Sequence, residues 1–349
     1  MRISSKPMRL VAAVAALSLV AAACGSDDDS SSDSDDTDTT EATTDGTDDG
    51  DMASAECETA NNEDNSVASL TELDFSGLDI NVGSKDFTEQ FVLGQLAIAA
   101  FEAGGANVTD SVNLGGTVVN RDAMTSGQID TYFEYNGTGW TNHLALPEPS
   151  FDPVELTNGV CVEDLAANDV RWIGVAPFNN TYGFATAPDS PAAGLDLQGM
   201  MEYVNDNADA TVCMDTEYPN REDGLVLVEE ATGLTIPDGQ DEILEVGVIY
   251  DETASGNCTF GLVFTTDGRI PALELVLVED PGVHILYNVS MTMLDSVYQQ
   301  YPEEFEALAD TILGGLDNAT SAELQRQVSV DGEDAYDVAV AYLTEQGLL

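Results

Sequence analysis

Positively charged residues are scarce in this sequence. Its 349 residues include nine lysines and arginines against 65 aspartates and glutamates, which gives a formal net charge of −56. Proteins that bind nucleic acids cluster basic side chains to neutralise phosphates, so this composition excludes that class of partner. Lys85 is the only lysine after residue 6. Its presence in so acidic a chain indicates a task that an acidic residue cannot perform.

Histidine is also scarce, and common catalytic motifs are missing. Neither His143 nor His284 lies in a recognisable catalytic pattern, and the sequence has no G-x-S-x-G, P-loop or H-E-x-x-H motif. An enzyme that uses paired carboxylates, as glycosidases do, stays open as an alternative because acidic residues are abundant. The sequence has no D-x-D-x-D-G calcium loop, and its cysteine spacing fits no zinc pattern. We therefore expect neither a metal site nor a cofactor.

The N-terminus carries a short apolar run that is typical of an export signal. Three basic residues precede the run 10–23, "LVAAVAALSLVAAA", and Cys24 follows it. The run is too short for a stable transmembrane helix. Small residues that end at a cysteine resemble a bacterial lipoprotein signal. We expect residues 1–23 to be removed and Cys24 to carry a lipid; the alternative is a plain signal peptide with a coincidental cysteine.

The segment 24–69 consists mainly of small polar and acidic residues, with almost no large apolar side chain. Such a segment cannot bury enough surface to fold, and its like charges repel and extend it. We expect a disordered acidic tether that holds a folded domain away from the membrane.

Four cysteines follow Cys24, and an even number in an exported protein favours two disulfides. Cys213 and Cys258 each lie in a predicted strand of the same half of the chain, so we favour their pairing. That leaves Cys57 with Cys161. Three pairings are available to four cysteines, and the sequence alone leaves them open.

Strand patterns alternate with helical patterns after residue 70. The stretch 89–105, "EQFVLGQLAIAAFEAGG", has helical spacing and ends at two glycines. Four apolar runs predict buried strands, at 170–177, 210–217, 258–267 and 273–280. This alternation predicts an α/β fold.

Five motifs then occur in order: "VGSKDFTEQFVLGQL", "NLGGTVVNRDAMTSGQIDTYFEYNGTG", "APFNNTYGFA", "TTDGRIPALELVLVEDP" and "YLTEQGL". Together they resemble the substrate-binding proteins of osmoprotectant ABC transporters of the glycine betaine/choline type. The resemblance runs over residues 78–349. It implies a type II periplasmic-binding-protein fold, in which two α/β lobes are joined by two crossing strands and close on a ligand.

The resemblance also implies where the lobes begin and end. Lobe I would comprise residues 70–178 and 269–349, and lobe II would comprise residues 179–268. The two crossings would then fall near Pro177 and near Gly268.

A quaternary ammonium group cannot donate hydrogen bonds, so its natural receptor is a box of aromatic faces. The resemblance places that box on four residues in four separate motifs: Tyr135, Tyr182, Phe264 and Tyr287. Tyrosine is usual in the family at the position of Phe264. Phenylalanine keeps the π face there but removes the hydroxyl.

A solute that also carries a carboxylate needs cationic and hydroxyl donors at its other end. The resemblance places this role on Lys85, Thr138 and Arg221. We expect Glu217, four residues before Arg221, to orient that guanidinium or to line the cleft. Asn180 is expected to lie behind the ligand-contacting residues.

The resemblance therefore implies a solute-binding lipoprotein on the outer face of the cell membrane or in the periplasm. It would capture a quaternary amine such as glycine betaine and deliver it to an ABC permease. Choline, carnitine or another solute would suit the same aromatic box. An anchored sensory or adhesion domain is a further alternative, because a single chain reveals no transporter partner.

Overall fold

The computed structural model describes Cys57 and residues 65–349. The predicted signal peptide 1–23, the predicted lipidation site Cys24 and most of the predicted tether lie outside these residues. Among the helices of the described part, none is both long enough and apolar enough to cross a membrane.

Strands are numbered β1–β10 in chain order, and helices of eight or more residues are numbered α1–α9. The strands of the described residues are β1 (Asp79–Gly83), β2 (Asn107–Ser111), β3 (Thr131–Tyr135), β4 (Val170–Ile173), β5 (Tyr182–Thr186), β6 (Val212–Met214), β7 (Asp241–Ile243), β8 (Phe260–Phe264), β9 (Val276–Leu277) and β10 (Val289–Leu294). The helices are α1 (Thr88–Ala103), α2 (Thr117–Thr125), α3 (Pro153–Asn168), α4 (Leu197–Asp206), α5 (Leu225–Thr232), α6 (Val246–Ala254), α7 (Pro302–Gly314), α8 (Asn318–Ser329) and α9 (Ala335–Glu345).

The first sheet has the strand order β2-β1-β3-β10-β4. Strands β1, β2 and β3 run parallel, whereas β10 is antiparallel to both β3 and β4. Helix α1 contacts β1 and β3 and also packs against α8 and α9. These contacts bury most of its length, which explains why its sequence is apolar on nearly every side.

The second sheet has the strand order β7-β6-β8-β5-β9. Strand β6 is parallel to β7 and β8, and β5 is antiparallel to β8 and β9. Each sheet is thus mixed, with one strand antiparallel to its neighbours: β10 in the first sheet and β5 in the second. The two sheets, with the helices packed on them, form the two lobes of a type II binding-protein fold. The α/β prediction is confirmed.

The chain passes between the sheets twice. It leaves the first sheet after Ile173 and enters the second at Tyr182. It returns between Leu277 and Val289, because β9 still pairs with β5 of the second sheet. The predicted return near Gly268 is therefore too early: the helical turn after it carries Ile270, which packs in a cluster of the second lobe.

Two disulfides are present in the described residues. Cys57 pairs with Cys161 on α3, and Cys213 on β6 pairs with Cys258, with Cα atoms 5.7 and 5.8 Å apart. Both separations are usual for disulfides. These are the two pairings that the sequence favours, one in each lobe.

Candidate solute-binding cleft

A cavity of about 170 Å³ lies between the two sheets. All nine residues predicted for the site line it: Lys85, Tyr135, Thr138, Asn180, Tyr182, Glu217, Arg221, Phe264 and Tyr287. They come from positions up to 202 residues apart in the chain, so the fold brings the separate motifs to one place.

Strand ends position the cavity residues. Tyr135 is the last residue of β3, and Phe264 is the last residue of β8. Tyr182 begins β5 and pairs directly with Phe264 in the antiparallel register. Lys85 follows the end of β1. Ligands in α/β sheets bind outside the carboxyl ends of the parallel strands, where Lys85, Tyr135 and Phe264 stand. Tyr182 reaches the same place from the amino end of β5, because β5 runs antiparallel to β8.

One end of the cavity is aromatic. The ring centroids of Tyr182 and Tyr287 are 5.2 Å apart, those of Tyr182 and Phe264 are 5.6 Å apart, and those of Tyr135 and Tyr287 are 6.5 Å apart. A fifth ring, Phe87, lies 4.9 Å from Phe264 and 6.2 Å from Tyr135. These five residues are called the cage end below.

Phe87 was not predicted as a site residue. It stands two residues after Lys85 in the motif "GSKDF", immediately before α1. An aromatic residue so close to a predicted ligand contact was the available signal.

Hydroxyl groups hold two of the tyrosine rings in place. The Tyr135 hydroxyl donates to Glu89 Oε1 at 2.7 Å, and the Tyr287 hydroxyl donates to Asp223 Oδ2 at 2.8 Å. Burial raises the pKa of both phenols well above the ordinary value, so the rings stay neutral. The cage end therefore offers neutral π faces.

Glu89 lies behind the cage end and is fully buried. It accepts hydrogen bonds of 2.7–3.0 Å from five side chains: Tyr135, Asn180, Thr266, Ser321 and Gln325. Burial raises the pKa of Glu89, and the hydrogen bonds oppose that rise. Asn180, which lines the cavity, thus shares Glu89 Oε1 with the Tyr135 hydroxyl. Glu89 itself was predicted only as part of a helix.

A second group of lining residues is polar and charged, and it adjoins the rings: Lys85 Nζ lies 5.1 Å from the Tyr135 centroid, and Arg221 Cζ lies 5.7 Å from the Tyr182 centroid. This group comprises Lys85, Thr117, Thr138, Glu217 and Arg221, and it is called the polar end below. Thr117, the first residue of α2, was not predicted; the signal was a Gly-Gly-Thr sequence before a helical pattern.

Lys85 is paired with a buried acid. Its Nζ lies 2.6 Å from Glu134 Oε1, 3.3 Å from Thr117 Oγ1 and 5.1 Å from the centroid of the Tyr135 ring. Glu134 Oε2 also lies 3.0 Å from His143 Nε2. Burial opposes ionisation of Glu134, but Lys85 and His143 outweigh it and hold the pKa of that carboxyl below its ordinary value. Glu134 stands next to Tyr135 in the motif "TYFEYNGTG" but was not predicted as the partner of Lys85.

Arg221 has a buried partner as well. Its Nε and Nη2 donate to the two oxygens of Asp223, both at 2.8 Å. Nη2 also donates to Thr138 Oγ1 at 3.0 Å, and Nη1 donates to Thr117 Oγ1 at 3.2 Å. Arg221 therefore joins the second lobe, where it lies, to two threonines of the first.

Glu217 makes its closest contacts across the cleft. Its Oε1 accepts from the Thr117 backbone N–H at 2.9 Å, and its Oε2 accepts from the Thr117 hydroxyl at 2.8 Å. The distance from Oε2 to Arg221 Nη1 is longer, at 3.3 Å. Glu217 thus lines the cleft and contacts the Arg221 guanidinium, as expected, but its principal partner is Thr117.

Comparison with known proteins agrees with this fold and cleft. The family model for the substrate-binding domain of ABC-type glycine betaine transport systems matches residues 79–345. The chain is 28% identical to the glycine betaine-binding protein YehZ of Escherichia coli K12, over 77% of this chain and 90% of YehZ. It is 31% identical to a glycine-betaine-binding protein of Pseudomonas aeruginosa PAO1, over 77% and 88%.

A solved structure of apo YehZ from Escherichia coli matches with a TM-score of 0.58 at 28% identity, covering 78% of this chain and 99% of that one. The two relatives are named as glycine betaine-binding proteins, the matching family model describes a substrate-binding domain, and the enzyme alternative is set aside. Because the family model covers most of the chain, this protein belongs to the family of substrate-binding domains of ABC-type glycine betaine transport systems.

Proposed function

We propose that this protein captures a quaternary-ammonium compatible solute, such as glycine betaine or a relative, outside the membrane and delivers it to an ABC permease. One observation carries the proposal: five aromatic rings converge at one end of a cavity whose other end holds hydrogen-bond donors from both lobes. A methylated cation needs the aromatic rings, and an alcohol or acid group needs the hydrogen-bond donors.

The methylated nitrogen would lie between the rings of Tyr135, Tyr182, Phe264 and Tyr287, with Phe87 as an additional wall. Each well-placed ring face contributes roughly 0.5–2 kcal/mol to binding of a desolvated cation. The anchored hydroxyls of Tyr135 and Tyr287 favour a pre-organised cage, because rings that are already fixed lose little freedom on binding.

The polar group of the solute would meet Lys85, Thr138 and Arg221. Lys85 and Thr138 belong to the first lobe, and Arg221 belongs to the second, so a ligand held by all three would favour the closed cleft. Closure would take place by hinge motion at the two crossings. In this proposal lobe I comprises residues 70–178 and the part of the chain after the second crossing.

A lipid on Cys24 and the acidic tether 24–69 would hold the lobes at the membrane near the permease. Cys24→Ala is expected to move the mature protein from the membrane fraction into the soluble fraction, as immunoblots of the two fractions would measure. A variant that stays in the membrane fraction would refute lipid attachment at Cys24.

A thermal-shift panel tests the proposed ligand class. Glycine betaine, choline and carnitine are the test ligands, and glycine and proline serve as controls that lack a quaternary ammonium. A ligand at a hundred times its dissociation constant adds about 2.7 kcal/mol to the free energy of unfolding, which a melting curve detects. Stabilisation by the controls, or by none of the methylated amines, would reject the proposal.

A further inference from the structure

The polar end holds an acidic side chain where the ligand carboxylate is expected. Glu217 lies in the second lobe after β6, and its carboxylate reaches the first turn of α2 in the first lobe. A Cβ atom at Gly116 would come within 2.0 Å of Glu217 Oε1, so this approach depends on a glycine at position 116.

Glu217 uses the donors that a ligand carboxylate would need. A helix N-terminus attracts anions through its free N–H groups, and Glu217 takes the N–H and the hydroxyl of Thr117. It also accepts from Arg221, and Thr117 Oγ1 lies 3.3 Å from Lys85 Nζ. The intramolecular carboxylate therefore occupies an anion site that both cations border.

The balance of charges at the polar end also disfavours a ligand carboxylate. Lys85 is paired with Glu134, and Arg221 is paired with Asp223. With His143, the other contact of Glu134, counted as neutral, two cations thus face three carboxylates once Glu217 is included, which leaves one negative charge in excess. Three more acidic side chains line the cavity: Asp86, Asp215 and Glu245. A ligand carboxylate would add a further like charge to this group.

Burial opposes ionisation of Glu217, but Lys85, the hydrogen bonds from Thr117 and Arg221 together outweigh it. The pKa of Glu217 therefore lies below its ordinary value, and its charge persists at neutral pH.

We infer that Glu217 makes this cleft prefer a cationic quaternary-ammonium alcohol, such as choline, over a carboxylate-bearing betaine. An ionised carboxylate accepts hydrogen bonds and donates none, so the ligand group that meets Glu217 has to be a donor. The hydroxyl of choline donates, and its single positive charge offsets the excess acid. The carboxylate of glycine betaine only accepts, and it has to displace Glu217 from Thr117 and Arg221. This inference rests on the proposed function, because it specifies the ligand of the same cleft.

Isothermal titration of choline and glycine betaine against three proteins tests the inference. The wild-type protein is expected to bind choline at least about tenfold more tightly than glycine betaine. Glu217→Gln keeps the shape of the side chain but removes its charge. It is expected to shift the affinity ratio at least about tenfold towards betaine, which corresponds to about 1.4 kcal/mol.

Glu222→Gln is the matched control. Glu222 lies in the same loop, is exposed, and is not part of the cavity lining. The variant removes the same formal charge, so it reports the long-range effect of charge alone, and we expect the ratio to change by less than about twofold because exposed charges are screened.

Two results overturn the inference while the proposed function stands. One is a wild-type protein that binds glycine betaine more tightly than choline. The other is a Glu217→Gln variant that binds both amines with an unchanged ratio. If Glu217→Gln does not fold, the wild-type preference alone decides. Wild-type protein that gives no binding heat with either amine overturns the inference, and it rejects the proposed function as well if carnitine also fails in the thermal-shift panel.

Discussion

The cage end and the polar end of the cleft differ in the kind of interaction that they offer a ligand. The cage end consists of neutral rings, whose π faces attract a cation without carrying a charge of their own. The polar end consists of charges whose effect depends on their partners, because Glu134, Asp223 and Glu217 offset Lys85 and Arg221. The role of an aromatic residue therefore follows from its own chemistry and location, whereas the role of a charged residue follows from the whole group.

The two ends also differ in whether their side chains need counter-charges to be buried. A buried cation without a partner is strongly unfavourable, so the polar end needs its buried acids before any ligand arrives. The side chain of Lys85 is 5% exposed and that of Glu134 is fully buried. The rings of the cage end need no such compensation, although Tyr135 and Tyr287 use acids to hold their hydroxyls.

Removal of the acid beside Lys85 is expected to have the largest effect. Glu134→Gln leaves the Lys85 ammonium buried without its counter-charge, so the free energy of unfolding should fall by about 3–5 kcal/mol in urea denaturation. Glu323→Gln is the control, because it breaks an ion pair with Arg326 at the surface. Equal losses in the two variants would show that the polar end does not depend on its buried acid.

Removal of one ring from the cage end comes next. Tyr135→Ala should weaken choline and glycine betaine alike, by about 2 kcal/mol or about thirtyfold in calorimetry, because both carry the same methylated cation. Tyr336→Ala removes a tyrosine from the exposed surface of α9 and should leave both affinities unchanged. A loss confined to one of the two ligands would contradict a shared cation site.

The two ends should also differ in their response to pH. The pKa of Glu134 is lowered in the folded protein, so its stabilising contribution is complete above the ordinary value of 4.5 and is lost as the pH falls below it. The stability gap between wild type and Glu134→Gln should therefore narrow below pH 4.5, by about 1.4 kcal/mol for each pH unit.

Urea denaturation at pH 7, 5, 4 and 3 at constant ionic strength measures this gap. A gap that widens as the pH falls would contradict the assigned pairing of Glu134. Phe264→Ala removes a cage ring that has no titratable group, so its effect on the free energy of unfolding is expected to show no comparable dependence in this acidic range.

The smallest effect is expected for restoring the usual family residue in the cage. Phe264→Tyr keeps the π face and adds a hydroxyl to a half-buried ring, so the affinity for choline should change by less than about threefold. Phe264→Ala is the matched comparison and should lose about tenfold, because it removes the face itself. A large gain for Phe264→Tyr would show that a hydroxyl, and not only a ring face, matters at this position.

Much of the cleft could be predicted because its residues stand in sequence motifs that lie at the ends of predicted strands. Lys85 follows a strand, Tyr135 ends one, and Tyr182 begins another. Five rather than four rings converge, and Phe87 was missed because a residue before a helix N-terminus has no orientation until the helix is packed. The return crossing was placed too early because the pairing of β9 with β5 is a contact over about 90 residues of sequence.

The sequence by itself determined the α/β alternation and nine of the residues that line the cleft, and it favoured the two disulfide pairings that are present. These follow from local periodicity, from the cysteine positions and from motif resemblance. Only the tertiary structure decided the charge of the polar end. Glu134 becomes the partner of Lys85 across 49 residues of sequence, and Glu217 meets Thr117 across 100 residues, through folding alone. The physical reason is that electrostatic energy depends on distance and burial in space, and separation along the chain specifies neither.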